Sequence, residues 1–298
     1  MKLELIAPAK LNYVLEITGR RQDGYHDIVS LMQTISIADR VVLSDAPDIE
    51  IEVTGEELLG VPLEGPRNLA YAAAHALAEA TGLSDTGVHI ELDKQVPAGM
   101  GLGGGSSDAA AVLRGLNRLW DLQLTHAELT AIGAAIGSDV PFFIAGGSAL
   151  VTGRGERVEP LADVEPRRLT LFVSEIEIED KTRRMYSMIT PSDFSDGRRA
   201  HVAADSVRRG LSLAESEFYN AFDRHIGRVA APLGGAMMLC REAGLAVLAA
   251  GSGPGFFSPT PRDELPELLL HELERDWGVR ALDCRSLSRD EAISVREL

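Results

Sequence analysis

A chain of 298 residues with 45% hydrophobic and 25% charged side chains sits in the ordinary globular range, which excludes disordered, collagenous and membrane classes and points to about two domains. The formal net charge of −16 argues against a nucleic-acid partner, because such binders gather Lys and Arg on one face. No run approaches the ~20 apolar residues of a membrane span, and Cys240 and Cys284 have neither disulfide-framework nor zinc-ligand spacing.

Met1 to Lys10 carries Lys2 and Glu4 and no apolar leader core, so a cytoplasmic protein is expected. Leu11 to Ile17 alternates as a half-buried strand, with Leu11, Tyr13, Leu15 and Ile17 on one face and Lys10 and Asn12 on the other. Gly19 to Gly24 is turn chemistry. Ile28 to Ile37, Asp39 to Leu43 and Ile49 to Val53 read as further strands. Asn68 to Gly82 is an Ala-rich helix closed by Gly82, and Val88 to Leu92 is again a strand. A helix over Ser106 to Trp120 follows a glycine-rich run, then a helix over Thr125 to Ile136, a buried segment Val140 to Ile144, and Ser148 to Val151. Pro160, Pro166 and the charges between Glu159 and Arg168 mark a domain boundary, giving residues 1–160 and 161–298. Beyond it come a strand over Leu169 to Val173, a turn-rich stretch from Thr190 to Arg199, several helices and short strands, and a second glycine cluster, Gly251 to Gly255. The fold class is α+β, in two mixed lobes.

The run Pro97-Ala98-Gly99-Met100-Gly101-Leu102-Gly103-Gly104-Gly105-Ser106-Ser107 places five glycines in seven positions and then opens a helix. Glycines let the backbone approach a ligand, and the free amides and positive dipole end of the helix attract phosphate. Ser106 or Ser107 is expected to cap that helix and to offer a hydroxyl to phosphate or metal. It is not a Walker A loop, since no Gly-Lys-Ser/Thr follows at the required spacing. Gly99-x-Gly101-x-x-Gly104 does match the dinucleotide fingerprint, which keeps an NAD-dependent oxidoreductase open as an alternative.

Three separated motifs, Pro8-Ala9-Lys10-Leu11-Asn12, the glycine run through Ala110, and Gly251-Ser252-Gly253-Pro254, resemble those of the superfamily of galactokinase, homoserine kinase, mevalonate kinase and phosphomevalonate kinase. Ile17 to His26 and Ile136 to Phe143 resemble the branch of it that acts on a cytidine-diphosphate-linked sugar alcohol, Asp23-Gly24-Tyr25-His26 being the discriminating element. The resemblance thins after about residue 175, where Lys181-Thr182 and Tyr186 stand for the usual Thr and aromatic. Ala250 and Gly255 replace the hydroxyl residues that commonly flank the third motif.

The resemblance implies a two-lobed architecture, with a mixed-sheet first lobe and an α/β sandwich second. It also implies ATP-dependent phosphorylation of a hydroxyl on such a small molecule, in the non-mevalonate isoprenoid pathway. Pro97 to Ser107 would bind ATP, with Mg2+ reached through Ser106 or Ser107; Asp108 is a weaker metal candidate, being also a first-turn helix charge. Asp139 would be the base, suited to it because its oxygens can hold a hydroxyl in line with the γ-phosphorus. From spacing alone, Asp139 before Pro141 is equally a helix cap. Lys10 alone reads as a solvated strand lysine; the resemblance pairs it with Asp139. Tyr25 would stack on cytosine and His26 would bond its polar edge, with Asn12, Thr182 and Tyr186 completing the substrate site; alternatively Tyr25 and His26 merely cover a hairpin. His75, His89, His126, His201, His225 and His271 show no metal-ligand spacing and read as surface or helix residues. Another kinase of the superfamily and a non-catalytic nucleotide sensor are the remaining alternatives.

Overall fold

The computed structural model describes residues 1–83, 86–175 and 180–298. Two strands, β1 (Lys2–Arg20) and β2 (His26–Ala46), form a long antiparallel ribbon. Its turn is set by Asp23, which accepts the Tyr25 amide at 3.1 Å, and by Gly24, whose φ of 88° only glycine adopts without strain. Register shifts between Pro8 and Lys10, Asn12 and Val14, and Ile17 and Gly19 mark bulges, which bend the ribbon and re-aim its side chains. β2 is one strand, not the two expected. It pairs with one neighbour over Ile28–Gln33 and another over Arg40–Ala46, and the alternation fails where the partner changes.

Along the chain follow β3 (Ile49–Gly55), α1 (Leu69–Thr81), β4 (Gly87–Lys94), α2 (Gly104–Leu119), α3 (His126–Ile136), α4 (Val140–Ala145), β5 (Ser148–Gly153) and β6 (Arg157–Pro160). α1 is capped by Asn68, which accepts the Ala70 amide at 2.9 Å, and ends on left-handed Gly82. Thr125 and Glu128 form a capping box on α3. Then come β7 (Arg168–Ser174), α5 (Lys181–Ser187), α6 (Arg198–Arg208), β8 (Tyr219–Asn220), α7 (Ile226–Val229), α8 (Ala231–Glu242), β9 (Leu248–Ala249), β10 (Phe256–Ser258), α9 (Glu267–Trp277), β11 (Val279–Arg285), α10 (Arg289–Ala292) and β12 (Val295–Glu297).

Two sheets result. The first runs β12-β1-β2-β4-β3, with β5 and β6 continuing from β2 and β8 lying parallel on β1; the second runs β11-β7-β10-β9. One apolar core lies between the first sheet and α1, α2 and α4, built from residues such as Leu5, Leu43, Ala110 and Phe142. A second joins the centre of β1 to the other sheet through Leu11, Val14, Leu171, Phe222 and Phe256. β1 therefore serves both lobes, and its Lys10–Asn12 stretch lies where they meet. No described helix is long and apolar enough to cross a membrane. Cys240 and Cys284 are buried free thiols that burial pushes up to about 12.

Candidate active site

The three sequence motifs meet through backbone hydrogen bonds. The Lys10 amide donates to the Leu102 carbonyl at 2.9 Å, the Asn12 amide to the Ala250 carbonyl at 3.0 Å, and the Gly255 amide to the Met100 carbonyl at 3.2 Å. Gly101 and Gly253 lie so close that a Cβ on Gly101 would come within 2.6 Å of the Gly253 nitrogen. A Cβ on Gly255 would meet the Met100 carbonyl at 2.8 Å, so the loop packing leaves no room there for a hydroxyl-bearing side chain. Ala250 is fully buried.

α2 begins at Gly104, with left-handed Gly103 at its N-cap, so neither Ser106 nor Ser107 caps it as expected. No side chain caps this end, and its first-turn amides are free for an anion. Pro97, Ala98, Gly99, Gly101 to Ser106 and Asp108 line a cavity of about 450 Å³, whose far side is Gly60 to Pro62 and Arg67 to Leu69. Met100 and Ser107 turn away from it into the protein interior. The dinucleotide-fingerprint alternative fails on topology: β4, which leads into the loop, lies between antiparallel β2 and the parallel edge strand β3, and after α2, α3 and α4 the chain returns in β5, which pairs antiparallel with β2 and β6, so no doubly wound parallel sheet is built.

A second cavity, of about 770 Å³, is lined by Asn12, Tyr25, His26, Tyr186 and Ile189, among others. Lys10, Ser106, Asp139, Thr182 and Ser252 line both cavities, so the two chambers touch at these side chains. Asp139 occupies the N-cap position of α4 but its side chain makes no capping bond, which removes the bland reading and leaves the carboxylate facing the junction. Lys10 is buried and donates to Asn12 Oδ1 at 2.6 Å; Asn12 Nδ2 in turn donates to Ser30 Oγ at 2.7 Å. Lys10 and Asp139 thus share the junction without a direct ion pair. Burial holds the Lys10 ammonium below its usual range, and the Asp139 charge opposes that shift.

On the second cavity's wall, His26 is stacked on Tyr186 at 5.2 Å between ring centroids; backing these two, Phe222 meets Tyr186 edge-on at 4.9 Å and Phe194 lies edge-on to His26. Burial, and secondarily Arg20, lowers the His26 pKa, so the ring is neutral near pH 7 and offers one donor and one acceptor. Burial and then Asp139 raise the Tyr186 phenol. Tyr25 is 55% exposed, with the Arg154 guanidinium 5.0 Å from its ring centroid.

Some residues here gave no signal in the sequence. Lys94, at the end of β4, is buried between Asp39 and Asp108, donating to both, at 2.7 Å in the case of Asp108. Asp39 also accepts the Gln95 and Val96 amides at 2.6 and 2.7 Å, fixing the chain as it enters the glycine loop. Asp108 gives one oxygen to Lys94, while its Oδ1 is buried without a partner among the described residues. Burial raises Asp108 to about 8 despite the opposing charge of Lys94. His225 is not at the surface: it closes a single 3-10 turn, Asp223–His225, and is buried, hydrogen-bonded to Asp193. Among the described residues no group of three or more His, Cys, Asp or Glu is arranged to hold a metal.

The GHMP kinases N-terminal domain matches residues 68–147. A 4-diphosphocytidyl-2-C-methyl-D-erythritol kinase of Exiguobacterium sibiricum is 37% identical over 92% of this chain and 94% of its own. The crystal structure of a 4-(cytidine 5'-diphospho)-2C-methyl-D-erythritol kinase superposes with a TM-score of 0.74 at 34% identity, covering 95% of this chain and 98% of that one. A homoserine kinase from Cytophaga hutchinsonii has the same fold, with a TM-score of 0.72 at 16% identity over 99% of this chain and 97% of its own.

Proposed function

Since this chain belongs to the 4-diphosphocytidyl-2-C-methyl-D-erythritol kinases, within the GHMP kinases, we propose that it uses ATP to phosphorylate the 2-hydroxyl of 4-diphosphocytidyl-2-C-methyl-D-erythritol, a step toward isoprenoid precursors by the non-mevalonate route. The observation that carries this reading is the pair of cavities that touch at Lys10, Ser106 and Asp139. Phosphoryl transfer asks a protein to align two substrates and neutralise charge, with little covalent work of its own.

ATP occupies the glycine-loop cavity with its phosphates on the free amides of α2. The cytidyl substrate occupies the larger cavity, its base against Tyr25 and His26 and beside Tyr186, and its hydroxyl at the junction. Stacking supplies affinity without choosing a base, so the neutral His26 ring carries the discrimination. Asp139 accepts the proton of the attacking hydroxyl, and Lys10, held by Asn12, steadies the charge that develops on its oxygen. Residues 1–160 supply the nucleotide loop and the base, and residues 161–298 complete the acceptor pocket through Thr182, Tyr186 and Ser252.

Mg2+ carried on ATP would meet a hard oxygen donor in the Ser106 hydroxyl, which suits an ion that keeps several waters and takes few protein oxygens beside substrate phosphates. When bound it neutralises phosphate charge. Incubation with ATP and the cytidyl substrate, followed by phosphorus NMR, should show ADP and a new phosphomonoester on the acceptor. ADP without that resonance, or turnover of homoserine or mevalonate instead, would refute the substrate assignment.

A further inference from the structure

The segment Thr190 to Ser195 and the turn Asp223–His225 lie outside the motifs that define the cleft, yet they are tied together at one buried carboxylate. Asp193 Oδ2 accepts both the Thr190 amide and the Thr190 hydroxyl, each at 2.8 Å. Its Oδ1 accepts Arg224 Nη2 at 2.9 Å and faces His225 Nε2 at 3.1 Å. Asp193 is 3% exposed and His225 4% exposed, and His225 Nδ1 has no partner among the described residues. Burial pushes the Asp193 carboxyl up, but the Thr190 and His225 hydrogen bonds and the Arg224 charge outweigh it and bring it to about 2. A buried carboxylate and imidazole with an unsatisfied nitrogen cost stability relative to apolar packing.

The pair sits behind the aromatic wall. The chain enters the Thr190 turn directly from α5, which carries Tyr186, and leaves it at Phe194; the next amide, Ser195, donates to the Ile17 carbonyl at 2.9 Å. Phe222, three residues before His225, supports the Tyr186 ring from the other side. Asn220 begins the same segment, receives the Phe222 amide at 2.9 Å, and donates to the Ala249 and Gly251 carbonyls at 3.0 and 3.1 Å. Asn220 to His225 is thus a strut between the third glycine motif and the Thr190 turn, joined to that turn among the described residues by the Asp193–His225 contact and by Arg224, which is itself largely exposed.

We propose that Asp193 and His225 are positioning residues that hold Tyr186 and Phe194 at the spacing His26 needs, and so set affinity for the cytidine diphosphate end of the acceptor. Neither residue touches that ligand; both act through the aromatic rings. The proposal rests on reading the larger cavity as the acceptor pocket.

Titration calorimetry with CDP and, separately, with ATP tests it on the full-length protein. Asp193→Ala and His225→Phe should each weaken CDP by about 10-fold, the loss expected when a base is no longer well stacked, and leave ATP within about twofold. His225→Gln, whose amide can still donate to Asp193, should recover most of the CDP affinity. If Asp193→Ala does not fold, Asp193→Asn, which keeps an acceptor for Thr190, carries the same comparison. CDP binding by wild type that survives the substitutions unchanged overturns the proposal alone, as do equal losses of CDP and ATP. Wild-type protein that binds ATP but not CDP overturns the acceptor-pocket reading and the proposal with it.

Discussion

The glycine-loop wall of the cleft is shaped by backbone, whereas the facing aromatic wall is shaped by side chains. On the first, carbonyls and amides of Met100, Leu102, Ala250 and Gly255 bond to one another and to β1, and close approach such as that of Gly101 to Gly253 forbids a Cβ. On the second, His26, Tyr186, Phe194 and Phe222 meet ring against ring, backed by Asp193 and His225 from behind. A wall of amides grips any polyphosphate in the same way, so it suits the shared donor of a kinase superfamily. A wall of rings depends on spacing and orientation, so it suits the substrate that differs from one enzyme to the next.

The walls meet at Asp139, where the largest effect is expected. Asp139→Asn keeps the size of the side chain but cannot take up a proton. In steady-state assays kcat should fall by at least ~10²-fold, the low end for a lost general base, with KM for ATP little changed. Near-normal kcat would remove Asp139 from the chemistry and leave the junction a binding feature only.

If the walls divide the two substrates between them, a lesion in one should spare the ligand of the other. His26→Ala removes the ring stacked on Tyr186. KM for the cytidyl substrate should rise about 10-fold or more, within the ~1–3 kcal/mol range of base–aromatic contacts, while KM for ATP stays within about twofold. Parallel losses for both would mean that the walls act as one unit.

The same division explains what the sequence reveals. A backbone-shaped wall writes itself into adjacent letters, because glycine is the residue that tolerates φ angles such as the 84° of Gly101 and the 75° of Gly103. Capped elements are equally local: Asn68 and Gly82 frame α1, and Thr125 with Glu128 opens α3, close to where the apolar spacing places them. The start of α2 at Gly104 is not foreseen, since glycine is a poor helix former and two serines follow that usually cap. Side-chain walls are assembled from distant letters. Asp193 lies 32 positions from His225 and Asp39 lies 55 from Lys94, and no periodicity connects them. Tyr186 is suggested only by resemblance, and no local feature separates His225, a buried partner, from the other histidines that the sequence reads as surface or helix residues.

The remaining effect is on stability, not on turnover, and concerns how the glycine-loop wall is anchored. Lys94 serves two buried carboxylates, and burial raises Asp108 from its ordinary 3.8 to about 8. A carboxyl whose folded pKa lies above its unfolded value contributes stability that is complete below the unfolded pKa and is lost as pH rises to the folded one. Asp108 therefore weakens the fold progressively from about pH 4 to about pH 8. Asp108→Asn retains an acceptor for Lys94 and abolishes this dependence. The unfolding midpoint of the variant minus that of wild type should accordingly grow more positive between pH 5 and pH 8. Calorimetric scans across that range decide it. A difference that does not change with pH would show that Asp108 is ionised throughout, held by Lys94 as an ordinary buried ion pair, and the glycine-loop wall would then rest on charge pairing instead of on a protonated carboxyl.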